Sequence, residues 1–542
     1  MRPYLIIICA AALLFIPFLG GAHLFDWDEI NFAECAREMI VSGDYFRPMI
    51  DFKPFWEKPP VFIWMQVLSM KVFGINEFAA RFPNAVIGIA TLCSFFAIGK
   101  RLVSEKFAWV WVILYTASWL PHFYFKSGII DPSFNLFIYL AIYFAFNVSH
   151  TTKKMLCAVL SGIFVGLAVL TKGPVAIAVC ILTLVVFCIV RKTLLPFAPK
   201  YFIALLLSGI VTTMLWFGAE VMAHGWWFVN EFITYQVRLF KTEDAGHGGP
   251  FFYHFIVLLV GCFPASIFLF TYLKKSAPLF QDDKLKTSAK NFRTWNWILF
   301  WVVLLLFSIV KTKIVHYSSL CYFPLSYLAA LPVYQLINRK LDLTGWQKGL
   351  LLGIGAVVAI AITLLPWVGL HKELLIPLID DPFAVGNLQA NVQWSYWEMS
   401  FGIIYLVALV AVYFLIREKF YLRGFTILAC AQVFIIFVTV AHFTPKIEAI
   451  SQRAAIEYFE SFAGEDVYVQ VLGYKSYAHL FYTKKKAPDN PNYYNQDWLI
   501  AGPVDKPVYF ICKIQNAAST LEQHPTLMKI GEKNGFVFLK RK

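Results

Sequence analysis

Long apolar runs alternate with short polar segments along most of the chain. A membrane-spanning helix needs roughly 20 consecutive, mainly apolar residues. The pattern predicts thirteen such spans, at residues 4–22, 80–99, 107–123, 130–147, 155–170, 174–190, 201–219, 254–273, 296–310, 318–336, 350–368, 399–416 and 424–442. The two short runs 155–170 and 174–190 could also form a re-entrant pair. The pattern therefore predicts a mainly α-helical, polytopic membrane bundle.

Composition supports this class. Charged residues make up only 15% of the 542 residues, against about 25% in soluble domains. Hydrophobic residues make up 59%, which excludes both a soluble enzyme and a disordered chain. The run 4–22 could be a cleaved signal peptide, but it is long and has no small-x-small cleavage site. We therefore expect it to be a retained anchor.

The distribution of charge predicts the orientation of the chain. With the N-terminus in the cytoplasm, the cytoplasmic loops hold 21 basic and 5 acidic residues. The opposite loops, up to residue 445, hold 13 basic and 18 acidic residues. Basic residues concentrate in cytoplasmic loops, so this orientation is favoured. The net charge of +14 is thus a topology signal rather than a nucleic-acid-binding surface, and an odd number of spans places the tail outside.

The ten cysteines predict no disulfide framework, because most of them lie inside the apolar runs and no CxxC motif is present. Buried cysteines in such runs behave as small apolar side chains.

Three longer polar segments, 23–79, 220–253 and 445–542, all fall on the outer side. Loops of this length are usually functional. In the first segment the spacing predicts a helix from Asp28 through Ile40, ended by Gly43. The apolar stretch 61–73 is too short to span, so we expect it to lie at the membrane interface.

The tail predicts a small α/β domain at 445–542, separate from a membrane domain at 1–444. Residues 447–462 have helical spacing, Val467–Leu472 and Val508–Cys512 have the composition of strands, and Lys529–Leu539 predicts a hairpin. Asn534-Gly535 is a strong two-residue turn signal in that hairpin. The tail holds no convincing catalytic set, so a lid or scaffold is its expected role.

Ionisable residues collect at the outer ends of the predicted spans. They are Asp28, Glu29, Glu57, Lys58, Arg81, Asp131, Lys172, Arg238, His247, Lys311, Lys313 and His316. Ionisable groups near membrane depth are costly and are functional candidates by default. A cavity of mixed charge is expected, in which cations bind a phosphate and carboxylates orient or deprotonate a hydroxyl.

Each of these residues also has a simpler alternative. The alternatives are helix capping for Asp28, Glu29 and Asp131, interfacial anchoring for Lys58 and Arg81, contact with helix C-termini for Lys172 and Lys313, and an ordinary loop position for His247. All of these residues lie on the same outer side, which favours a shared cavity over separate structural roles.

Five ordered motifs resemble those of the aminoarabinose transferase and protein mannosyltransferase-like families. The motifs are Asp28-Glu29-Ile30-Asn31-Phe32-Ala33-Glu34 with Arg37-Glu38-Met39, Phe55-Trp56-Glu57-Lys58-Pro59-Pro60, Arg81-Phe82-Pro83-Asn84-Ala85, Leu170-Thr171-Lys172-Gly173-Pro174, and Ser308-Ile309-Val310-Lys311-Thr312-Lys313 with His316-Tyr317. No single motif is very specific to these families, but the order of the five motifs along the chain is.

The resemblance implies a GT-C glycosyltransferase, which takes a sugar from a polyprenyl phosphate and transfers it outside the membrane. It implies catalytic roles for Asp28 and Asp131, and we expect Glu29 to belong to the same catalytic group. It implies that Lys58 contacts the lipid phosphate with Tyr317 nearby, and we expect Arg81, Lys172, Lys311 and Lys313 to support it. Glu57 and His247 correspond to a divalent-metal pair, such as a zinc site, in the aminoarabinose branch. His316 departs from the aminoarabinose pattern, where no histidine is expected.

The resemblance further implies lipid A or a related envelope acceptor, a bacterial inner-membrane location and a periplasmic active site. We expect a monomer that uses no nucleotide, because no Gly-rich phosphate loop is present. A transferase acting on protein or another glycan, and a lipid-linked sugar transporter or flippase, are the alternatives. A transporter would show paired halves with broken helices, and the sequence shows no such pairing.

Overall fold

The structure, a computed structural model, describes residues 1–241, 248–273 and 287–542. The first half of the chain folds into helices α1–α11 and one short hairpin. These are α1 (Arg2–Phe15), α2 (Asp28–Ser42), β1 (Met49–Ile50), β2 (Lys53–Pro54), α3 (Val61–Phe73), α4 (Glu77–Leu102), α5 (Glu105–Thr116), α6 (Trp119–Tyr124), α7 (Asp131–Val148), α8 (Lys154–Lys172), α9 (Val175–Arg191), α10 (Pro199–His224) and α11 (Trp227–Lys241).

The second half continues the bundle and ends in the sheet of the tail. Its elements are α12 (Tyr253–Gly261), α13 (Ala265–Leu273), α14 (Thr287–Ile309), a 3-10 helix (Val315–Cys321), α15 (Tyr322–Ile337), α16 (Gly345–Leu370), α17 (Pro382–Leu388), α18 (Ser400–Arg417), α19 (Tyr421–Val438), α20 (Thr444–Ser451), α21 (Arg453–Glu460), β3 (Tyr468–Leu472), α22 (Ala478–Tyr482), α23 (Gln496–Ala501), β4 (Val508–Lys513), α24 (Ile514–Gln523), β5 (Leu527–Lys533) and β6 (Phe536–Arg541).

The chain is a multi-span membrane protein. Within the described ranges, eight helices are long and apolar enough to cross a membrane, or nine when the bent pair α12–α13 counts as one span. The other four predicted runs form α1, α5 with α6, α7 and α9, which are shorter or carry more polar residues. The mainly helical class is confirmed, whereas the count of thirteen spans stays a prediction.

Three predicted spans differ from a straight helix. The axes of α12 and α13 meet at 113°, so 254–273 is a bent pair. The break, residues 262–264, contains Pro264, which has no amide hydrogen for helix bonding. The run 107–123 is interrupted between α5 and α6. Helix α1 ends at Phe15, before Pro17, where the buried Lys126 Nζ donates to the Leu14 and Pro17 carbonyl oxygens.

The first outer segment follows the prediction closely. Helix α2 runs from Asp28 to Ser42 and ends at Gly43, whose φ of 74° suits a residue without Cβ. Helix α3 has the bounds expected of the apolar stretch 61–73. Both helices are largely buried, so this segment is a folded layer rather than an open loop.

The tail contains the expected α/β arrangement. Its sheet has the order β3-β4-β6-β5, in which β3 and β4 are parallel and the other pairs antiparallel. Asn534 and Gly535 both have positive φ, as the β5–β6 turn requires. The helical stretch 447–462 is two helices, α20 and α21, rather than one.

The tail packs against the first outer segment. Ile30 and Met39 of α2 share one apolar core with Ile456 and Phe536 of the tail. The proposed boundary between residues 444 and 445 falls inside a continuous helical stretch, Tyr421–Ser451. The division into two domains therefore stays a prediction.

Candidate active site

A cavity of about 760 Å³ lies between the first outer segment, the helix ends of the bundle and the tail. Eight of the twelve ionisable residues singled out by sequence line it, together with Tyr317: Asp28, Glu29, Glu57, Lys58, Asp131, Lys172, Arg238 and His316. Apolar side chains from α9 and α14 line another part of it, which suits a site that takes an apolar ligand.

Asp28 lies at the start of α2, directly after a strained residue. Trp27 has φ 75°, a left-handed value that non-glycine residues rarely adopt. Such strain clusters at functional sites. Nε2 of His316 lies 3.4 Å from Oδ2 of Asp28, and the Asp28 side chain is the more exposed of the two, at 34% against 17%. Asp28 and His316 therefore line the cavity as neighbours, with Asp28 the more accessible of the two.

Lys58 is the cavity cation with the fewest protein partners. Within the described ranges its Nζ makes no hydrogen bond or ion pair, and it lies 5.2 Å from the ring centre of Tyr235. Burial lowers the pKa of Lys58, although the charges of Glu57 and Asp28 oppose that shift. A cation with unused donors beside an apolar wall suits an anionic ligand.

Asp131 and Lys172 form a buried ion pair deeper in the cavity. Nζ of Lys172 donates to Oδ1 of Asp131 at 2.6 Å, and Ser319 Oγ donates to the same oxygen at 3.3 Å. The other oxygen, Oδ2, is buried without a hydrogen-bond partner in the described part of the chain. Asp131 therefore keeps one acceptor for a ligand, while Lys172 is already paired.

Glu29 and Arg81 form a second buried pair with a positioning role. Arg81 donates to both Glu29 oxygens, at 3.0 and 2.7 Å, and its remaining donors reach three backbone carbonyls. Glu29 also accepts from the Phe25 and Gly128 amides. Burial would raise the pKa of Glu29, but Arg81 and these amides lower it overall. Arg81 does not line the cavity and has no donor left for a phosphate.

Lys311 and Lys313 also lie away from the phosphate-binding position expected of them. Nζ of Lys313 donates to the Phe307, Ser308 and Val310 carbonyl oxygens and so caps the C-terminus of α14. Lys311 is exposed, and neither lysine lines the cavity. Sequence alone could not separate capping from ligand binding, because both occur at the outer end of a helix.

The structure describes only Glu57 of the two expected metal ligands. Oε2 of Glu57 accepts a hydrogen bond from Tyr235 at 2.9 Å, and His247 lies outside the described residues. Among the residues that the structure describes, no three His, Cys, Asp or Glu side chains are grouped as metal ligands. The metal pair therefore stays a prediction.

Several residues of the cavity were not predicted from the sequence. Asn31, Tyr235 and Gln236 line the cavity from α2 and α11, and Asp26 and Lys475 line it from the first segment and the tail. The amphipathic spacing of α11 could have indicated Tyr235. Nothing in the sequence could have indicated Lys475, because its position depends on how the tail docks.

The geometry supports one kind of chemistry. A carboxylate at the mouth, a cation with unused donors and an apolar wall could hold a lipid phosphate and orient a nucleophile against the group that it carries.

The sequence has relatives among bacterial glycosyltransferases. Residues 57–216 match the family described as dolichyl-phosphate-mannose-protein mannosyltransferase. The undecaprenyl phosphate-alpha-4-amino-4-deoxy-L-arabinose arabinosyl transferase of Edwardsiella ictaluri is 28% identical, covering 73% of this chain and 74% of the relative. The enzyme of the same name from an Enterobacter species is 27% identical, covering 73% and 70%.

The fold also has solved counterparts. ArnT from Cupriavidus metallidurans, bound to undecaprenyl phosphate, has a TM-score of 0.78 at 18% identity and covers 99% of this chain and 97% of its own. The apo oligosaccharyltransferase of Archaeoglobus fulgidus has a TM-score of 0.51 at 12% identity, covering 95% and 70%. The chain has the GT-C fold and resembles the aminoarabinose transferase and protein mannosyltransferase-like families of glycosyltransferases.

Proposed function

We propose that this protein is an integral-membrane glycosyltransferase that moves a sugar from a polyprenyl phosphate to lipid A or a related envelope acceptor. One observation carries the proposal: a single cavity joins the Asp28 carboxylate, the Lys58 ammonium and an apolar wall, in a chain with the GT-C fold. The names of the relatives make an undecaprenyl-linked aminopentose the first donor to test.

In this mechanism the lipid donor enters from the bilayer along the apolar wall, with its phosphate at Lys58. Negative charge grows on that phosphate as the bond to the sugar breaks, so a preorganised cation stabilises the transition state more than the ground state. Tyr317 and Arg238 line the same cavity and complete the surroundings of the phosphate.

Asp28 orients the acceptor on the opposite side of the sugar. Direct attack by the acceptor oxygen then inverts the anomeric centre. Asp131 keeps one carboxylate oxygen for a sugar hydroxyl, while Glu29 and Arg81 fix the start of α2 and thus the position of Asp28. The positions of Arg81 and Lys313 give them structural rather than phosphate-binding roles.

The proposed location is the bacterial inner membrane, with the N-terminus in the cytoplasm and with the cavity and the tail in the periplasm. The charge asymmetry of the loops supports this orientation. The monomeric state of the protein stays a prediction, and so does the presence or absence of a zinc ion in its site.

The test is mass spectrometry of envelope lipids from cells that lack the protein and are complemented with variants. Wild type should add one sugar mass to lipid A, whereas Asp28→Asn and Lys58→Ala should each lower transfer at least 100-fold, because each removes a group that acts on the reacting atoms. Lys71→Ala and Asp497→Asn, at exposed positions outside the cavity, are the matched controls.

Full transfer by both Asp28→Asn and Lys58→Ala would contradict the mechanism. No lipid difference between cells with and without the protein would contradict the acceptor and would direct the search to protein or polysaccharide. Failure of the polyprenyl-linked sugar to accumulate without the protein would favour a transporter.

A further inference from the structure

The segment 23–27 directly precedes Asp28, and the tail holds this segment at several points. The Leu24 amide donates to the Tyr482 hydroxyl at 2.8 Å, and the Leu24 carbonyl oxygen accepts from Nε2 of Gln452 at 2.9 Å. Both partners belong to the tail. The tail therefore anchors the chain just before it reaches the cavity.

Asp26 is the next point of attachment. Its carboxylate accepts hydrogen bonds from the Ser476 hydroxyl and the Tyr477 amide of the tail, and from the Trp27 amide at 3.0 Å. Nζ of Lys475 lies 5.5 Å from the centre of the Trp27 ring, within the range of a cation–π interaction. Three consecutive residues of the tail thus contact two consecutive residues of the segment 23–27.

Trp27 lies between these contacts and has a backbone conformation that its side chain disfavours. Its φ of 75° and ψ of −115° are the mirror image of ordinary extended backbone, a region that glycine populates readily and other residues rarely adopt. Such a conformation persists only where the surrounding structure fixes it.

The start of α2 fixes Trp27 from the other side. The Trp27 carbonyl oxygen accepts from the Asn31 amide at 2.9 Å, and the Phe25 amide donates to Glu29 at 3.0 Å. The strained residue is therefore held between α2 and the tail, and both sets of contacts are needed to hold it.

The conformation of Trp27 sets the position of the Asp28 carboxylate. A φ in the usual negative range would redirect the chain after Asp26 and move Asp28 with it. A displacement of about 1 Å in a catalytic group can lower the rate about 100-fold. Ser476 is buried and does not line the cavity, so its hydrogen bond to Asp26 bears on transfer only through this position.

We propose that Asp26 and Ser476 are positioning residues, whose contact holds Trp27 in its strained conformation and thereby places the Asp28 carboxylate for transfer. The inference rests on the glycosyltransferase function proposed above and gives the tail a defined part in that reaction. Asp26 also lines the cavity, so the test uses variants of Ser476.

The first experiment measures transfer by the full-length protein in proteoliposomes, with undecaprenyl phosphate-linked 4-amino-4-deoxy-L-arabinose as donor and lipid A as acceptor. We expect Ser476→Ala to lower kcat about 10- to 100-fold. The KM for the donor should stay unchanged, because Lys58 and the apolar wall are intact. Wild-type kcat in Ser476→Ala would overturn the inference.

The matched control for this experiment is Ser519→Ala. It removes an exposed hydroxyl of the tail that donates within its own helix, α24, to the Asn516 carbonyl oxygen. We expect wild-type kcat and KM, because this hydroxyl has no part in holding the segment 23–27.

The second experiment adds Ser476→Ala to Trp27→Ala and to Trp27→Gly. Both changes at residue 27 remove the indole, but only glycine adopts the observed conformation without strain. Ser476→Ala should lower kcat about 10-fold in the Trp27→Ala protein and less than about 3-fold in the Trp27→Gly protein. Equal ratios in the two proteins would show that the tail does not act through the backbone of residue 27.

Hydrogen exchange of the full-length protein in lipid nanodiscs tests the conformation independently of activity. Amides of residues 23–31 should exchange faster in Ser476→Ala than in wild type, whereas those of α14 should not change if the variant is folded. Unchanged exchange at residues 23–31 would overturn the inference. Absence of transfer by wild type would instead contradict the proposed function, and the exchange measurement would still decide whether the tail holds this segment.

Discussion

The ionisable residues at the outer helix ends show that the type of a residue does not by itself determine its role. The sequence indicated that Lys58 and Arg81 lie on the same side of the membrane, and both were expected to bind phosphate. Arg81 instead holds Glu29 and three backbone carbonyls, whereas Lys58 keeps its donors. The distinction depends on partners such as the amide of Gly128, 99 residues from Glu29, which no local pattern reveals.

The Glu29–Arg81 pair gives a stability prediction at this scale. Glu29→Gln leaves the Arg81 charge buried without its counter-ion, and breaking such a pair costs about 3–5 kcal/mol. We expect a clear fall in the thermal unfolding temperature in detergent, together with loss of transfer.

The matched control is Glu105→Gln, which breaks the exposed Lys100–Glu105 pair and should leave stability unchanged. An unchanged unfolding temperature in Glu29→Gln would show that the buried pair does not stabilise the start of α2.

At the scale of elements, hydrophobic periodicity predicted helices better than it predicted spans. Helices α2 and α3 have nearly the predicted bounds, because a glycine or a proline pair marks their ends. The bend between α12 and α13 was missed, since apolar composition continues through Pro264. An apolar run indicates that a segment is buried in lipid or protein, but it does not indicate where the helix axis bends.

The turn between α8 and α9 gives a prediction about one element boundary. Gly173 has φ 86° and ψ −157°, a region that only glycine adopts readily, and a Cβ there would lie 2.5 Å from Phe232. Gly173→Ala should therefore cost about 1–3 kcal/mol and shift Lys172, the last residue of α8, relative to Asp131.

Thermal unfolding and transfer assays of Gly173→Ala should both show the loss. Gly349→Ala in α16 is the control, because a Cβ at Gly349 meets no atom within 4 Å and alanine favours a helix. Equal unfolding temperatures and equal transfer by Gly173→Ala and Gly349→Ala would contradict the requirement for glycine at residue 173.

At the scale of the whole molecule, the tail and the first outer segment form one unit, which the sequence did not predict. A buried group of charges lies between them, in which Arg37 donates to Glu34 and to the Lys485 carbonyl oxygen, and Lys485 pairs with Asp51. The tail was expected to be a lid or scaffold, but that Lys475 of the tail lines the cavity follows only from the packing of the tail in the structure.

This interface predicts a pH dependence of stability. Burial, and then the neighbouring Glu34, raise the pKa of Glu38 from 4.5 to about 9. The folded state therefore holds a proton that the unfolded state releases, so stability should fall as pH rises from about 4.5 to 9. Glu38→Gln keeps a neutral group there and should flatten this dependence and raise the unfolding temperature at pH 8 to 9.

Thermal unfolding in detergent at several pH values is the measurement. Glu457→Gln, at an exposed position in the tail, should keep the wild-type dependence. Lower stability of Glu38→Gln than of wild type at pH 9 would show that Glu38 is ionised in the folded protein.

The hydrogen bond from the Leu24 amide to the Tyr482 hydroxyl joins residues 458 positions apart in the chain. A ribosome adding about 5–20 residues per second delivers the second partner roughly 20–90 s after the first. The segment that carries Asp28 is thus synthesised early and waits for the tail to dock. A chain shortened before residue 475 lacks one wall of the cavity, because Lys475 lines it.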